Sequence, residues 1–142
     1  MGMFDKLFGD KQDFPPLPAD NDAAAKLDEM KAPLEELAAK VNDHLEVIPA
    51  EHEAYVYLGK PPKRFGIAWI HDGKMDGLKE IVEENELSQA DTLKMINSLG
   101  SAYKRASDAP RYSAEFAGKK VVVIPSEKLG QEVHQIMERA IH

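Results

Sequence analysis

Cysteine is absent from this 142-residue chain, which excludes a disulfide framework, a thiolate zinc site, a cysteine-held iron–sulfur cluster and a cysteine nucleophile. Long apolar runs are missing as well. The longest purely aliphatic stretch is Val121–Ile124, far short of a membrane span. The first residues carry Asp5, Lys6, Asp10, Lys11 and Asp13, with no apolar run long enough for a signal peptide. A cytoplasmic protein without membrane association is expected. There is no Gly-x-Ser-x-Gly elbow and no dinucleotide glycine fingerprint, and Gly59-Lys60 and Gly118-Lys119-Lys120 each lack the rest of a phosphate loop. An excess of positive charge is lacking too: the net charge of −7 argues against general nucleic-acid binding, which needs cations to replace the counterions of the phosphates.

What is present suits one domain of ordinary size, with 43% hydrophobic residues to fill a core. The acidity is uneven. Residues 1–58 hold 13 acids against 5 bases, while residues 59–142 are nearly balanced, with 12 acids and 13 bases.

Residues 1–20 read as a flexible, proline-rich arm, and residues 21–142 as a single domain. In the arm, Met3, Phe4, Leu7 and Phe8 make one apolar face of a helix too short to hold itself in water. Pro15, Pro16 and Pro18 then favour extended backbone. Such an arm either docks on a partner or a membrane surface, or is a tail or a segment folded on its own domain; Asp5 and Asp10 weaken the membrane version.

A helix is expected from Asp20 or Asp22, with Leu27, Met30, Leu34, Leu37 and Val41 on one stripe reaching His44 or Leu45. Pro33 within it must kink the helix or begin a new one. Glu53–Leu58 and Phe65–His71 alternate with period two and read as a hairpin around residues 59–64. A short helix follows near Leu78, Ile81 and Val82, then a longer one opened by Ser88-Gln89-Ala90-Asp91 at capping-box spacing. Arg111–Phe116 and Lys119–Ile124 make a second hairpin around Ala117-Gly118. Leu129, Val133, Ile136, Met137 and Ala140 give the last helix the clearest helical period.

The expected fold is therefore α+β: an antiparallel sheet of about four strands in two hairpins, packed with amphipathic helices in the order α-β-β-α-α-β-β-α. That order loosely resembles small dimeric adaptor and chaperone domains of the roadblock and secretion-chaperone kind, in element order alone, so no family follows from it.

The chemistry-bearing patterns are incomplete. Asp72, Asp76, Gly77 and Glu83 match four positions of a calcium loop, but Lys74 stands where a ligand oxygen is required. His52-Glu53 opens like a zinc-protease helix motif, yet Val56 occupies the place of the second histidine. His71, Asp72 and Asp76 beside Trp69 form a candidate polar cluster, whose plain alternative is a strand-end histidine bonded to a turn aspartate. Bases gather on the two hairpin turns, at Lys60, Lys63 and Arg64 and at Lys119 and Lys120, as a candidate site for an anionic ligand or partner.

No catalytic residue, metal ligand or cofactor is assigned. The expected function is a non-catalytic protein-interaction domain of adaptor or chaperone kind. Its expected partners are itself, as a homodimer through the apolar stripes of the first and last helices, and another protein. The alternative is a small-molecule or metal-dependent enzyme or binding protein using Trp69, His71, Asp72 and Asp76.

Overall fold

The computed structural model describes residues 14–141. The chain forms α1 (Asp22–Glu29), α2 (Lys31–Lys40), β1 (Leu45–Ala50), β2 (Glu53–Lys60), β3 (Arg64–His71), β4 (Lys74–Gly77), α3 (Leu78–Glu84), α4 (Gln89–Arg105), β5 (Tyr112–Phe116), β6 (Lys119–Val123) and α5 (Glu127–Ile141). The class is α+β as expected. The sheet is not four-stranded and antiparallel, however: it has six strands in the order β4-β3-β2-β1-β6-β5, with β1 and β6 parallel.

The two additional strands have physical reasons for escaping a reading of pattern. β1, Leu-Glu-Val-Ile-Pro-Ala, is central and covered on both faces, so it lacks the alternation that marks a half-exposed strand. It also follows directly on a helical stripe that ends earlier than expected, since Val41 is already extended at φ −116°, ψ 151°. Pro49 is tolerated because its missing N–H lies on the β6 side. Gly59 N–H donates to the His44 carbonyl and Ile124 N–H to the Val47 carbonyl, each at 2.8 Å, so odd-numbered residues of β1 face β6, which ends its pairing at Val123. β4 has only four residues and is paired to β3 by a two-residue turn in which Asp72 and Gly73 both have positive φ. The calcium-loop spacing therefore falls on a hairpin, and Gly77, at φ −82°, is not a left-handed residue.

Pro33 begins a new helix rather than kinking an old one. The break falls at Met30, and Pro33 sits in the first turn of α2, where a missing N–H costs no intrahelical bond.

Helices cover both faces of the sheet. On one, Leu27, Met30, Leu34 and Leu37 of α1 and α2 pack on Leu45, Val47, Ala54, Val56 and Ile70. On the other, Ile81, Leu99, Leu129, Val133 and Met137 of α3, α4 and α5 pack on Ile48, Tyr55, Tyr57, Ile67 and Val122. Burying each such aliphatic side chain contributes about 1.5–3 kcal/mol. The stripes from which a homodimer was expected are thus spent inside the chain's own two cores.

Of the expected arm, residues 1–13 lie outside the described residues. Residues 14–17 run along the outer edge of β5: Ser113 N–H donates to the Pro15 carbonyl (2.9 Å), and Leu17 N–H to the Ser113 carbonyl (3.0 Å). This strap covers a sheet edge that would otherwise invite pairing.

Gly66 is a strand-interior glycine with no need to be one: a Cβ there meets nothing within 4 Å, and its φ is not positive. Gly66→Thr is expected to raise the unfolding free energy by about 0.5–1 kcal/mol, measurable as a higher urea midpoint at unchanged slope.

Candidate functional site

Because β1 and β6 run parallel, their carboxyl ends open at the same end of the sheet. The N-terminus of α1 stands there on one face, and that of α5 on the other. Each helix start is held by its own sequence: Asn21 Oδ1 accepts from Ala23 N–H at 2.8 Å, and Ser126 Oγ accepts from Leu129 N–H at 3.1 Å. Between them lies a cleft of about 820 Å³. Ligands in sheets with parallel strands commonly bind in such a crevice. Asp20, Asp22, Glu51, Glu53 and Glu127 place five carboxylates on its lining, against Lys26 and His134.

One wall continues into a polar network. The Tyr55 hydroxyl donates to Glu53 Oε1 (3.0 Å) and lies 2.8 Å from His134 Nδ1. Trp69 Nε1–H donates to the same Glu53 oxygen at 2.9 Å. His134 Nε2 stands 3.5 Å from Glu138 Oε2, one helical turn on. The Trp69 ring stacks on that of His71, with centroids 3.7 Å apart, and His71 Nε2 meets Asp76 Oδ2 at 2.9 Å. Glu53, the first residue of β2, therefore ties β2, β3 and α5 together at the mouth of the cleft. Burial, and then the neighbouring Glu53 carboxylate, push the Tyr55 hydroxyl far above its ordinary pKa, so it serves as a donor and not as a base.

Trp69, His71, Asp72 and Asp76 are brought together on the β3–β4 hairpin, where Trp69 pairs with Asp76. His71 and Asp76 are largely covered, while Asp72 is exposed. None of the four lines the cleft. Among the described residues, no group of three or more histidine and carboxylate side chains has the geometry to hold a metal ion.

The two basic turns lie at the other end of the sheet. Leu45 pairs with Leu58 and Glu46 with Val122, so β2 ends and β6 starts where β1 begins. Lys60 and Lys119 flank β1 at two strand spacings, roughly 10 Å. Lys119 spends its ammonium on the carbonyls of Val41 and Asp43, and Lys120 stands opposite Glu115 across the β5–β6 pair. An anionic partner at this end would meet Lys60, Lys63 and Arg64.

Here too the buried Glu46 carboxylate accepts from the Tyr103 hydroxyl at 2.8 Å. Burial, then that bond, push the Tyr103 pKa up to about 12, and burial raises that of Tyr57 further. These hydroxyls lose their protons more readily in the unfolded chain, which therefore binds fewer protons than the fold at high pH. Stability is expected to hold below pH ~10 and to fall as the pH rises from there towards 12. Urea midpoints measured between neutral and strongly alkaline pH check this.

Sequence reasoning did not find Glu53, Tyr55, His134 or Glu138. Tyr55 and His134 are 79 residues apart, and the only local sign was a histidine next to the apolar stripe of α5. Among the described residues, no helix is long and apolar enough to cross a membrane. Compared with protein-family models, curated proteins and solved structures, the chain matches none.

Proposed function

We propose that this chain is a non-catalytic binding domain that receives a basic segment of another protein in the cleft at the carboxyl ends of β1 and β6. The carrying observation is the cleft itself: an opening of about 820 Å³ between two helix N-termini, with five carboxylates against one lysine and one histidine on its lining. Acid clustering at two helix N-termini offsets the positive ends of their dipoles and turns a position suited to anions into one suited to cations. The neighbouring network favours binding over chemistry, because the Tyr55 hydroxyl is engaged by Glu53 and held protonated. The alternative reading, a small-molecule or metal-dependent site at Trp69, His71, Asp72 and Asp76, is weakened because none of these four residues lines the cleft, although Trp69 is bonded to Glu53 at its mouth.

The test is fluorescence anisotropy with a labelled lysine- and arginine-rich peptide and an acidic control at two salt concentrations. Preferential, salt-sensitive binding of the basic peptide is expected. Equal binding of both peptides would overturn the reading. The homodimer is tested separately by sedimentation, and would need a face other than the buried helix stripes.

A further inference from the structure

The β2–β3 turn gathers positive charge that its own fold leaves unanswered. Residues 59–64 include Lys60, Lys63 and Arg64 and no acid. Lys60 and Arg64 pair directly across the two strands, where like charges stand about 5 Å apart and repel. Among the described residues, none of the three side chains has a hydrogen bond or an ion pair. The turn is also held in place. The Pro62 carbonyl lies over Gly100 of α4, so close that a Cβ there would stand 3.3 Å from it, and Lys104 beside Pro62 adds a further cation. A charged turn on a fixed backbone loses little freedom when a partner engages it.

The acidic cleft is in the opposite condition. Among the described residues, Asp20, Asp22, Glu51 and Glu127 have no side-chain hydrogen bond or ion pair, and of the five carboxylates only Glu53 is engaged. Cleft and turn lie at opposite ends of the sheet. Glu53 and Lys60, the two ends of β2, are about 24 Å apart. One chain therefore cannot bring its own turn into its own cleft, and a second copy can.

We propose that the β2–β3 turn of one copy enters the cleft of the next, with Lys60, Lys63 and Arg64 against Asp20, Asp22, Glu51 and Glu127. This inference rests on the reading of the cleft as a site for a basic segment, and it names the segment. Three cations meet a lining whose carboxylates outnumber Lys26 and His134, so the charges match in sign and nearly in number. The contact is heterologous: each copy offers its turn at one end and its cleft at the other, and repetition builds a chain of copies or a ring. A single turn in a single cleft is a small interface of the weak class. Association is expected at about 0.1–1 mM protein, and peptide titrations at micromolar concentration stay clear of it.

Sedimentation of the full chain at low salt is expected to show a mean mass that rises with concentration and returns to that of a monomer in about 0.5 M salt. Two variants assign the contact: Glu51→Lys with Glu127→Lys in the cleft, and Lys60→Ser with Lys63→Ser and Arg64→Ser in the turn. All of these positions are exposed, and urea unfolding verifies that each variant is folded. Each alone is expected to stay monomeric. Their equimolar mixture is expected to form a dimer and nothing larger, since one intact turn meets one intact cleft and the other two are altered. A parent chain that stays monomeric at about 1 mM and low salt overturns the proposal. So does either variant associating like the parent, or a mixture that stays monomeric or grows past a dimer. A monomeric parent that still prefers the basic peptide overturns this inference alone and leaves the reading of the cleft standing; no peptide preference overturns both.

Discussion

Tyr57→Ala is expected to lower the unfolding free energy by about 3–5 kcal/mol, the cost of emptying a large buried aromatic site. Tyr57 is fully buried in the core under α4 and α5. Its ring packs at 5.2 Å from that of Phe65 and 5.3 Å from that of Tyr103, and its hydroxyl donates to the Leu99 carbonyl at 2.8 Å. One side chain therefore joins β2, β3 and α4. Tyr57→Phe keeps the ring and removes only the hydroxyl. Leu99 is inside α4, so its carbonyl keeps a helical partner, and about 1 kcal/mol is expected. Against a total stability of roughly 5–15 kcal/mol, the alanine variant is marginal and the phenylalanine variant comfortably folded. Urea unfolding followed by circular dichroism separates them. Equal losses would mean that the hydroxyl, and not the ring packing, holds α4 to the sheet.

Glu51→Lys combined with Glu127→Lys is expected to weaken binding of a basic peptide at least tenfold. Both carboxylates line the cleft from opposite sides, Glu51 from the β1–β2 turn and Glu127 from the first turn of α5. Reversing both moves the lining from an excess of carboxylates to a near balance of charge, and a tenfold loss corresponds to about 1.4 kcal/mol. The change should shrink as salt rises, since charges on an open cleft are screened over about 8 Å at physiological ionic strength. Lys63→Glu with Arg64→Glu is the control. These bases lie at the opposite end of the sheet, and their reversal should leave basic-peptide binding unchanged. A gain in the control as large as the loss in the cleft variant would show a response to net charge and not to the cleft, because the two variants shift the net charge in opposite directions.

Much of the architecture was legible because its causes are local. The 3.6-residue period of α5, with Leu129, Val133, Ile136 and Met137 buried, follows from one helix having one covered side. The alternation of Glu53–Leu58 and Phe65–His71 survives because backbone parity sends successive side chains to opposite faces, and the turn of the second hairpin sits where positive φ is needed, at Ala117 and Gly118. The charge reading was legible as well, as an acidic front and a balanced remainder. Whether the two basic turns would lie together could not be read, because turn position depends on strand direction.

Tertiary structure decided the rest. β1 is buried on both faces, which erases the alternation by which a strand is recognised, and its parallel pairing with β6 joins residues 46–47 to 122–123. No spacing announces a pairing over that distance. This one pairing sets both ends of the molecule: it brings the carboxyl ends of β1 and β6 together with the starts of α1 and α5 to make the acidic cleft, and it sends both basic turns to the other end. His134 joins the hairpin residues Glu53, Tyr55 and Trp69 only through it, since α5 follows β6 and must lie where β6 leaves it. The sequence by itself determined the helices of the second half, the two hairpins β2–β3 and β5–β6 and the sides these elements bury, because those depend on neighbours within a few residues. The site is a property of strand order and direction, which residues far apart in the chain choose jointly through the packing of two cores.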